Sequence, residues 1–370
     1  MAAKERFRVA VIGRTGRGGY GHQLDTAFLA VPQTEIVAVA DDAPRGLKAA
    51  VERLGVKHGY TDYRRMLREV DCDIVAICPR WVDCHHEMAM AAAEHGRHMY
   101  IEKPFCRNLQ EADEIVAACE RAHLKLAVAH PTRYSPKLET VRRLIRQGAI
   151  GRVLEYRARG KEDRRGGGED LWVLGTHMFD LIRALAGAPQ WCFAVVREHG
   201  RPVTAEEVRE GNEGLGPLAG DTIDAMFGTG SEAVAYFSSH RNAAGRPSRY
   251  ALQIFGSEGI IEITEGTLPV VKILRDSSWS PGRSGKSWQD VSSAGIGQPE
   301  PLTGPQFRQR HTLAILDLLD AIRHDRQPKC NMYEARGTVE MVMAVFESHR
   351  VGGPVRMPLQ QREHPLTKLR

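Results

Sequence analysis

The sequence predicts an α/β protein of two domains. Residues 1–130 are expected to form a doubly wound parallel sheet, and residues 131–370 an α+β domain with a large, mostly antiparallel open sheet. In the first part, short apolar runs alternate with helical segments, as in parallel sheets that carry helices on both faces. In the second part, strand-like segments follow one another with few helices between them, and several alternate apolar and polar residues.

The composition is that of an ordinary globular protein, with 42% apolar and 26% charged residues. The net charge of +5 comes from 51 basic and 46 acidic side chains spread along the chain, so nucleic acid is not expected as a partner. Seven cysteines without a C-x-x-C pair argue against a disulfide framework and a zinc site. No signal-like start and no apolar run of about 18 residues is present. We therefore expect a cytoplasmic protein with a small-molecule partner, no membrane contact and no metal.

A glycine-rich turn follows the first predicted strand, residues 7–12. A helix at 22–31 and a second strand at 36–40 come next, and this strand ends at Asp41. This order is the dinucleotide-binding pattern, in which glycines admit a pyrophosphate, the helix N-terminus favours its charge and the acid accepts from ribose hydroxyls. The acid also repels a 2′-phosphate, which favours NAD, although the nearby Arg45 keeps NADP open. The candidate cofactor-binding residues here are Gly13, Thr15, Gly16, Gly18, Gly19 and Asp41.

The strand predicted at 98–101 runs into Glu102-Lys103-Pro104. Proline has a fixed φ and restricts the residue before it, so Lys103 is held on a stiff corner at the carboxyl end of a strand. Open α/β sheets bind their ligands at this edge. Glu102 could orient the ammonium or pair with it; the alternative is an ordinary corner with two solvated charges.

Two further strands of the predicted six-stranded, mostly parallel sheet end at the same rim. One ends at Cys78-Pro79 and the other at His130-Pro131. We therefore predict that Cys78, Pro79 and His130 lie with Glu102 at the nicotinamide end of a bound cofactor.

A second group of candidate residues lies in the segment 164–180. A helix beginning near Asp170 would place Asp170, Val173, His177 and Asp180 on one face. Histidine changes charge nearest neutral pH, so an imidazole flanked by carboxylates suits a general base. The alternative is a core histidine that is hydrogen-bonded to Asp180.

Three basic residues, Arg157, Arg159 and Lys161, alternate along the strand predicted before this segment. Side chains two apart lie on one face of a strand, so the row could meet a carboxylate or phosphate of a substrate. The alternative is a solvated face. Trp172 and Asp180 are further candidates for contact with the substrate.

Four motifs together resemble the Gfo/Idh/MocA oxidoreductases, which include inositol 2-dehydrogenases and glucose–fructose oxidoreductase. They are the glycine turn, the corner at Lys103, the run from Gly166 to Asp180, and the ending formed by residues 347–350, 353–355 and 358–359. The resemblance implies a Rossmann domain that carries NAD(P), and a second domain whose large sheet covers the site and often forms the subunit interface. A homodimer or homotetramer through that sheet is therefore expected.

The resemblance also implies roles for single residues. The catalytic lysine of the family matches Lys103 and its catalytic histidine matches His177, while Arg133 and Tyr134 stand where the family often has polar neighbours of the substrate. Two features depart from the pattern. In the first, Val173 occupies the place of the usual aspartate four residues before the histidine, which leaves Asp170, one turn earlier, as a substitute. In the second, the glycine turn is longer than usual by about one residue.

These observations predict a dehydrogenase that transfers a hydride between NAD and a secondary alcohol of a sugar, glycoside or cyclitol. His177 would take the hydroxyl proton while Lys103 polarises the oxygen, and the two side chains should converge where nicotinamide exposes its reactive carbon. One alternative is a redox-assisted lyase or glycosidase with tightly bound NAD. Another is a nucleotide-sensing regulator without catalysis.

Overall fold

A computed structural model describes residues 6–369 of the chain. The first five residues lie outside the described residues. The expectation that the sequence has no signal-like start concerns this part of the chain. The chain forms two compact units. The first unit comprises Met1–Pro131, Asn212–Gly216 and Pro305–Val339, and the second comprises Thr132–Gly211, Pro217–Gly304 and Glu340–Arg370. The domain boundary at residue 130 stays a prediction, and the first unit includes the segment 305–339, which we had placed in the second domain.

The strands are numbered in chain order. They are β1 (Phe7–Ile12), β2 (Thr34–Ala40), β3 (His58–Tyr60), β4 (Ile74–Ile77), β5 (His98–Ile101), β6 (Leu126–Val128), β7 (Val153–Arg159), β8 (Trp191–Glu198), β9 (Arg201–Pro202), β10 (Arg209–Glu210), β11 (Pro217–Leu218), β12 (Thr222–Gly228), β13 (Val234–His240), β14 (Leu252–Gly256), β15 (Gly259–Ile263), β16 (Val271–Leu274), β17 (Gln289–Asp290) and β18 (Val355–Arg356).

The α-helices are numbered in the same way. They are α1 (Leu24–Ala27), α2 (Pro44–Leu54), α3 (Tyr63–Glu69), α4 (His85–Glu94), α5 (Leu109–Arg121), α6 (Pro136–Arg146), α7 (Gly168–Val173), α8 (Gly175–Ala186), α9 (Pro281–Ser284), α10 (Pro305–Arg308), α11 (Thr312–Arg323) and α12 (Met332–Val351).

The first unit is built on a six-stranded sheet in the order β3-β2-β1-β4-β5-β6. All of its strand pairs are parallel, which confirms the predicted doubly wound sheet. The winding reverses between β1 and β4, and the crevice outside the carboxyl ends of the strands at such a point is where ligands bind. The glycine turn follows β1, Asp41 follows β2 and Lys103 follows β5, so all three lie at that edge.

The helix predicted at 22–31 is shorter than expected. Its α-helical part covers Leu24–Ala27 and continues as a 3₁₀ turn over Phe28–Ala30. Gln23 has a left-handed conformation (φ 65°), which prevents the helix from extending toward the glycine turn, and Val31 is extended before Pro32. A helix of one turn contributes little dipole, so the expected help of a helix N-terminus to the pyrophosphate is not present here.

The second unit is built on a ten-stranded sheet whose main path is β17-β16-β15-β14-β7-β13-β12-β8-β18. Only the pair β7–β13 is parallel, so the sheet is mixed and mostly antiparallel, as predicted. Helix α8 packs on one face through Phe179, whose ring contacts those of Phe227 and Phe237 at centroid distances of 5.4 and 5.0 Å.

The opposite face of this sheet carries apolar side chains in register across three strands. Met226 of β12 lies between Phe193 of β8 and Tyr236 of β13. Phe193 and Tyr236 are among the few large apolar side chains that are exposed, at 38% and 36%. We call Phe193, Met226 and Tyr236 the apolar sheet face.

Among the described residues, no helix has the length and apolar character needed to span a bilayer.

Candidate functional site

The glycine turn after β1 folds as a small closed loop. Arg14 and Gly19 exchange two main-chain hydrogen bonds of 3.0 Å, which enclose Thr15 to Gly18. Gly18 has φ +88°, and a Cβ there would lie 2.4 Å from the main-chain nitrogen of Arg80. Glycine is therefore required at this position both by the backbone conformation and by the close approach of the loop after β4.

Asp41 lies at the carboxyl end of β2 and is 1% exposed. Its carboxylate accepts hydrogen bonds from the main chain and hydroxyl of Thr15, the hydroxyl of Tyr20 and the main chain of Ala43. The ring of Tyr20 lies against Gly13, where any Cβ would overlap it. The predicted ribose acceptor is thus held against the glycine turn, and both of its oxygens accept hydrogen bonds from the protein.

A cavity of about 190 Å³ opens beside Asp41 and extends to α3 and α4. Four acids line it, namely Asp41, Asp42, Asp62 and Glu87, and the one basic lining residue is Arg14. The Arg14 guanidinium already pairs with Asp42 at 2.9 Å. Arg45, which kept NADP open, is exposed and is not among the lining residues. These residues fit an adenosine ribose without a 2′-phosphate, because an additional dianion would meet net negative charge.

The corner after β5 is buried. Lys103 is 5% exposed and Glu102 is 1% exposed, so the alternative of two solvated charges is wrong. The Glu102 carboxylate lies 3.2 Å from Nδ1 of His22 and accepts a 3.2 Å hydrogen bond from the main chain of Lys103. Burial alone would raise the pKa of Glu102, but the hydrogen bond and charge of His22, together with Lys103 and His311, lower it to about 2.

A buried histidine joins this corner to the end of β4. The two ring nitrogens of His85 each lie 2.7 Å from a main-chain oxygen, one of Pro79 and one of Pro104. Cys78 and Pro79 are buried at the same edge of the sheet. His130 follows β6 and is also buried, with Nδ1 3.7 Å from Sγ of Cys330. The candidate residues predicted for the nicotinamide end therefore all lie in the first unit at the carboxyl ends of neighbouring strands.

His177 lies in the second unit, in the first turn of α8. It is 3% exposed, and its Nδ1 is 3.8 Å from Oε1 of Glu265, in the loop after β15. The single helical face predicted through Asp170, Val173, His177 and Asp180 is interrupted, because α7 and α8 are separated at Leu174. The carbonyl of Leu174 accepts a hydrogen bond from the hydroxyl of Tyr250. The carboxylate that the structure places against His177 is thus one that sequence spacing could not indicate.

Asp170 is fully buried and is hydrogen-bonded to residues other than His177. Its Oδ2 accepts hydrogen bonds from the hydroxyl of Ser239 at 2.5 Å and the main chain of Glu162 at 3.1 Å. Gly160 leaves room for it, since a Cβ there would lie 2.0 Å from the same oxygen. Burial raises the pKa of Asp170, and the hydrogen bonds oppose this. These contacts join α7 to the segment after β7 and to β13, and the catalytic role assigned to Asp170 stays a prediction.

The predicted substrate residues differ in their surroundings. Arg133 and Asp180 form a buried ion pair with a closest contact of 2.8 Å, and the hydrogen bond between Asp180 and His177 stays a prediction. Tyr134 and Trp172 are buried. Lys161 is exposed and lies beyond the end of β7, so it does not continue the row of Arg157 and Arg159.

The two arginines of that row are paired with acids of their own unit. Arg157 contacts Glu155 and lies over the ring of Phe255, at 4.2 Å from its centroid, and Arg159 pairs with Glu162. The interpretation of the row as a structural surface is therefore favoured over contact with a substrate.

Sequence reasoning missed three residues: His22 and His311 in the first unit, near Glu102, and Glu265 in the second unit, beside His177. His22 follows the glycine turn directly, which is a local signal, whereas Glu265 and His311 reach their partners from distant parts of the chain. No spacing rule connects such positions.

Comparison with known proteins gives a consistent result. Residues 7–130 match the model of the GFO_IDH_MocA oxidoreductase family with an NAD-binding Rossmann fold, and residues 138–262 match a C-terminal domain of the same family. Levoglucosan dehydrogenase of Pseudarthrobacter phenanthrenivorans is 28% identical over 290 residues, covering 70% of this chain and 73% of that protein. The NAD⁺-dependent scyllo-inositol 2-dehydrogenase of Bacillus subtilis is 22% identical, covering 97% and 98%.

A solved structure of levoglucosan dehydrogenase with NADH and levoglucosan has a TM-score of 0.76 to this chain. Its sequence identity is 23%, and the match covers 96% of this chain and all of that one. This likeness shows that the two proteins share a fold.

The buried charge of Glu102 predicts a specific acid dependence of stability. Its folded-state pKa of about 2 lies below its ordinary value of 4.5, so its contribution is complete above pH ~4.5 and is lost as the pH falls toward 2. We expect Glu102→Gln to lower the free energy of unfolding at pH 7 by about 3 kcal/mol. The deficit relative to the unmodified protein should shrink between pH ~4.5 and ~2 in urea unfolding experiments.

The matched control is Glu232→Gln, since the Glu232 side chain is 81% exposed and should give little change. A deficit for Glu102→Gln that is independent of pH over this range would contradict the assigned charge state.

Proposed function

Because this chain belongs to the GFO/IDH/MocA oxidoreductases, a family of NAD-dependent enzymes, we propose that it oxidises a secondary alcohol of a sugar or cyclitol. The observation that supports this most is the buried Glu102–Lys103 corner at the carboxyl end of β5, on the edge of the sheet where the glycine turn and Asp41 also lie. The relatives named as sugar and inositol dehydrogenases support the same class of substrate.

NAD supplies the hydride chemistry when it is bound, and the residues of the chain have to hold the cofactor and handle the hydroxyl proton. Asp41 and the glycine turn would hold the adenosine and pyrophosphate. Lys103 would donate to the substrate oxygen, since a lysine is ordinarily protonated at neutral pH and its ammonium favours the developing negative charge.

His177 would accept the hydroxyl proton. Its imidazole becomes positively charged in that step, and the nearby carboxylate of Glu265 would stabilise the charge, which is the task of a carboxylate beside a general base. Valine at position 173 cannot do this. We therefore propose that Glu265, rather than Asp170, serves His177, because Asp170 is already bound to Ser239 and Glu162.

The competing functions can be separated by one experiment. The purified protein is incubated with a panel of polyols, sugars and glycosides and with either NAD⁺ or NADP⁺, and the absorbance of reduced cofactor is followed. A dehydrogenase accumulates NADH in proportion to product, whereas a lyase or glycosidase that only borrows the hydride forms product without NADH. A regulator would bind NAD without forming product. The comparisons favour neither the lyase or glycosidase nor the regulator.

We also propose that the apolar sheet face forms the contact between subunits of a homodimer or homotetramer. Apolar side chains in register on three strands, of which Phe193 and Tyr236 are exposed, favour association, because their burial is the main driving force in protein interfaces. A cytoplasmic location is proposed on the ground that the seven cysteines, all within the described residues, form no disulfide, which is typical of proteins in a reducing compartment.

The proposed roles of His177 and Lys103 predict large losses of turnover. We expect His177→Ala and Lys103→Met each to lower kcat on an identified substrate by roughly 10²- to 10⁴-fold, because each removes a group that assists proton transfer or stabilises charge. NADH affinity, measured by fluorescence titration, should remain close to that of the unmodified protein. His324→Ala is the control, since the His324 side chain is 67% exposed and should have no effect. Full turnover in either variant would show that the assigned role is wrong.

The contact between His177 and Glu265 predicts a smaller effect. We expect Glu265→Gln to lower kcat by roughly tenfold with little change in KM, because a carboxylate about 4 Å from an imidazolium stabilises it by an amount on the order of 1 kcal/mol or more. Glu262→Gln, on the neighbouring strand β15, is the matched control. Equal kcat values for the Glu265 and Glu262 variants would rule out the proposed partnership.

The proposed subunit contact predicts a change in assembly. We expect the double substitution Phe193→Asp and Tyr236→Asp to convert the oligomer to a monomer in sedimentation velocity, because two charges would have to be buried in the interface. Leu29→Asp is the control, as Leu29 is an exposed apolar residue of the first unit. If the double variant has the same sedimentation coefficient as the unmodified protein, the interface lies elsewhere.

A further inference from the structure

His311, at the start of α11, is a buried histidine that neither the sequence motifs nor the proposed chemistry uses. It is 1% exposed and lies in the first unit. Its Nδ1 is 2.9 Å from the hydroxyl of Tyr100, and its Nε2 is 3.0 Å from the main-chain oxygen of His22. Both nitrogens of the ring therefore have partners within the protein.

The partners determine which nitrogen carries the proton. A main-chain oxygen can only accept, so Nε2 must donate to His22. The hydroxyl of Tyr100 can donate, so an unprotonated Nδ1 accepts from it. The ring is then neutral with both bonds satisfied. Burial, in addition, lowers the pKa of His311 to about 4, against the opposing charge of Glu102.

These two bonds connect the glycine turn to the strand that carries the catalytic corner. His22 is the residue after Gly21, the last glycine of the turn, and its side chain lies 3.2 Å from the Glu102 carboxylate. Tyr100 is on β5, two residues before Glu102. The contacts thus form a closed ring from Tyr100 through His311 and His22 to Glu102, completed by the backbone of β5.

Close packing makes this ring sensitive to small displacements. A Cβ on Gly21 would lie 2.7 Å from both the carbonyl oxygen of Cys78 and Oε2 of Glu102. The turn therefore has no space to move toward the corner. If it moved away, His22 would leave Glu102, and the carboxylate that accepts from the main chain of Lys103 would lose a donor.

We propose that His311 is a positioning residue: through its bonds to Tyr100 and His22 it fixes the end of the glycine turn against β5 and so holds Glu102 and Lys103 in place. The catalytic part of this inference rests on the proposed role of Lys103. The structural part does not, because it concerns the state of the corner itself.

A conservative substitution can separate this role from others. Glutamine can donate from its amide nitrogen to His22 and accept from Tyr100 with its amide oxygen, but it cannot take up a proton. Leucine fills similar space and makes neither bond. Tyr100→Phe removes one bond only and is expected to fold even if the leucine variant does not.

We therefore compare His311→Gln, His311→Leu, Tyr100→Phe and the control His324→Leu. Relative to the unmodified protein we expect kcat to fall roughly 10- to 100-fold in His311→Leu and less in Tyr100→Phe, because small misplacements of reacting groups are costly. We expect His311→Gln to stay within about threefold and His324→Leu to show no change. The inference is overturned if the leucine variant is fully active or if the folded glutamine variant loses as much as the leucine variant.

A second readout does not depend on turnover. When the protein is labelled with ¹⁵N-histidine, NMR should show that the His311 ring carries one proton, on Nε2. The main-chain amide of Lys103 should be protected from hydrogen exchange in the unmodified protein and in His311→Gln. It should not be protected in His311→Leu. A doubly protonated ring, or equal protection in all variants, refutes the positioning role. If no substrate is oxidised by the unmodified protein while these signatures are as expected, the proposed function fails and the structural role of His311 stands.

Discussion

A carboxylate that is buried away from water must be stabilised by hydrogen-bond donors and positive charge. In this protein that carboxylate is Glu102, and the groups around it link separate segments of the chain. Two groups supply this stabilisation: His22 at the end of the glycine turn and Lys103 beside it on the corner, while the neutral His311 holds the main chain of His22. The arrangement ties the glycine turn to the corner that carries Lys103.

The same constraint explains why Lys103 lies within the sheet edge rather than in solvent. A lysine on a flexible loop would lose rotamer freedom whenever it acted, whereas one that is 5% exposed and adjacent to a fixed carboxylate is already ordered. Pre-ordering of this kind is the general advantage of placing functional groups at the ends of strands. His85 adds to it by holding the loops after β4 and β5 together.

Local patterns predicted much of the fold. The strand at 98–101 was predicted with the bounds that the structure has. The helix after the glycine turn was overestimated, because nothing in its sequence shows that Gln23 takes a left-handed conformation. Contacts over long sequence separations were not accessible either. His22 meets Glu102 across 80 positions and Tyr100 meets His311 across 211, so only the fold reveals them.

The association of residues 305–339 with the first unit has a consequence for biosynthesis. Val128 on the edge strand β6 donates to the carbonyl of Cys330, and Tyr100 in the sheet interior binds His311, so late parts of the chain complete early ones. During translation, the amino-terminal sheet would emerge with an uncovered edge strand and a buried tyrosine lacking its acceptor. The nucleotide-binding unit is therefore finished only after residues 305–339 have left the ribosome, which couples maturation of the cofactor site to synthesis of a segment far downstream.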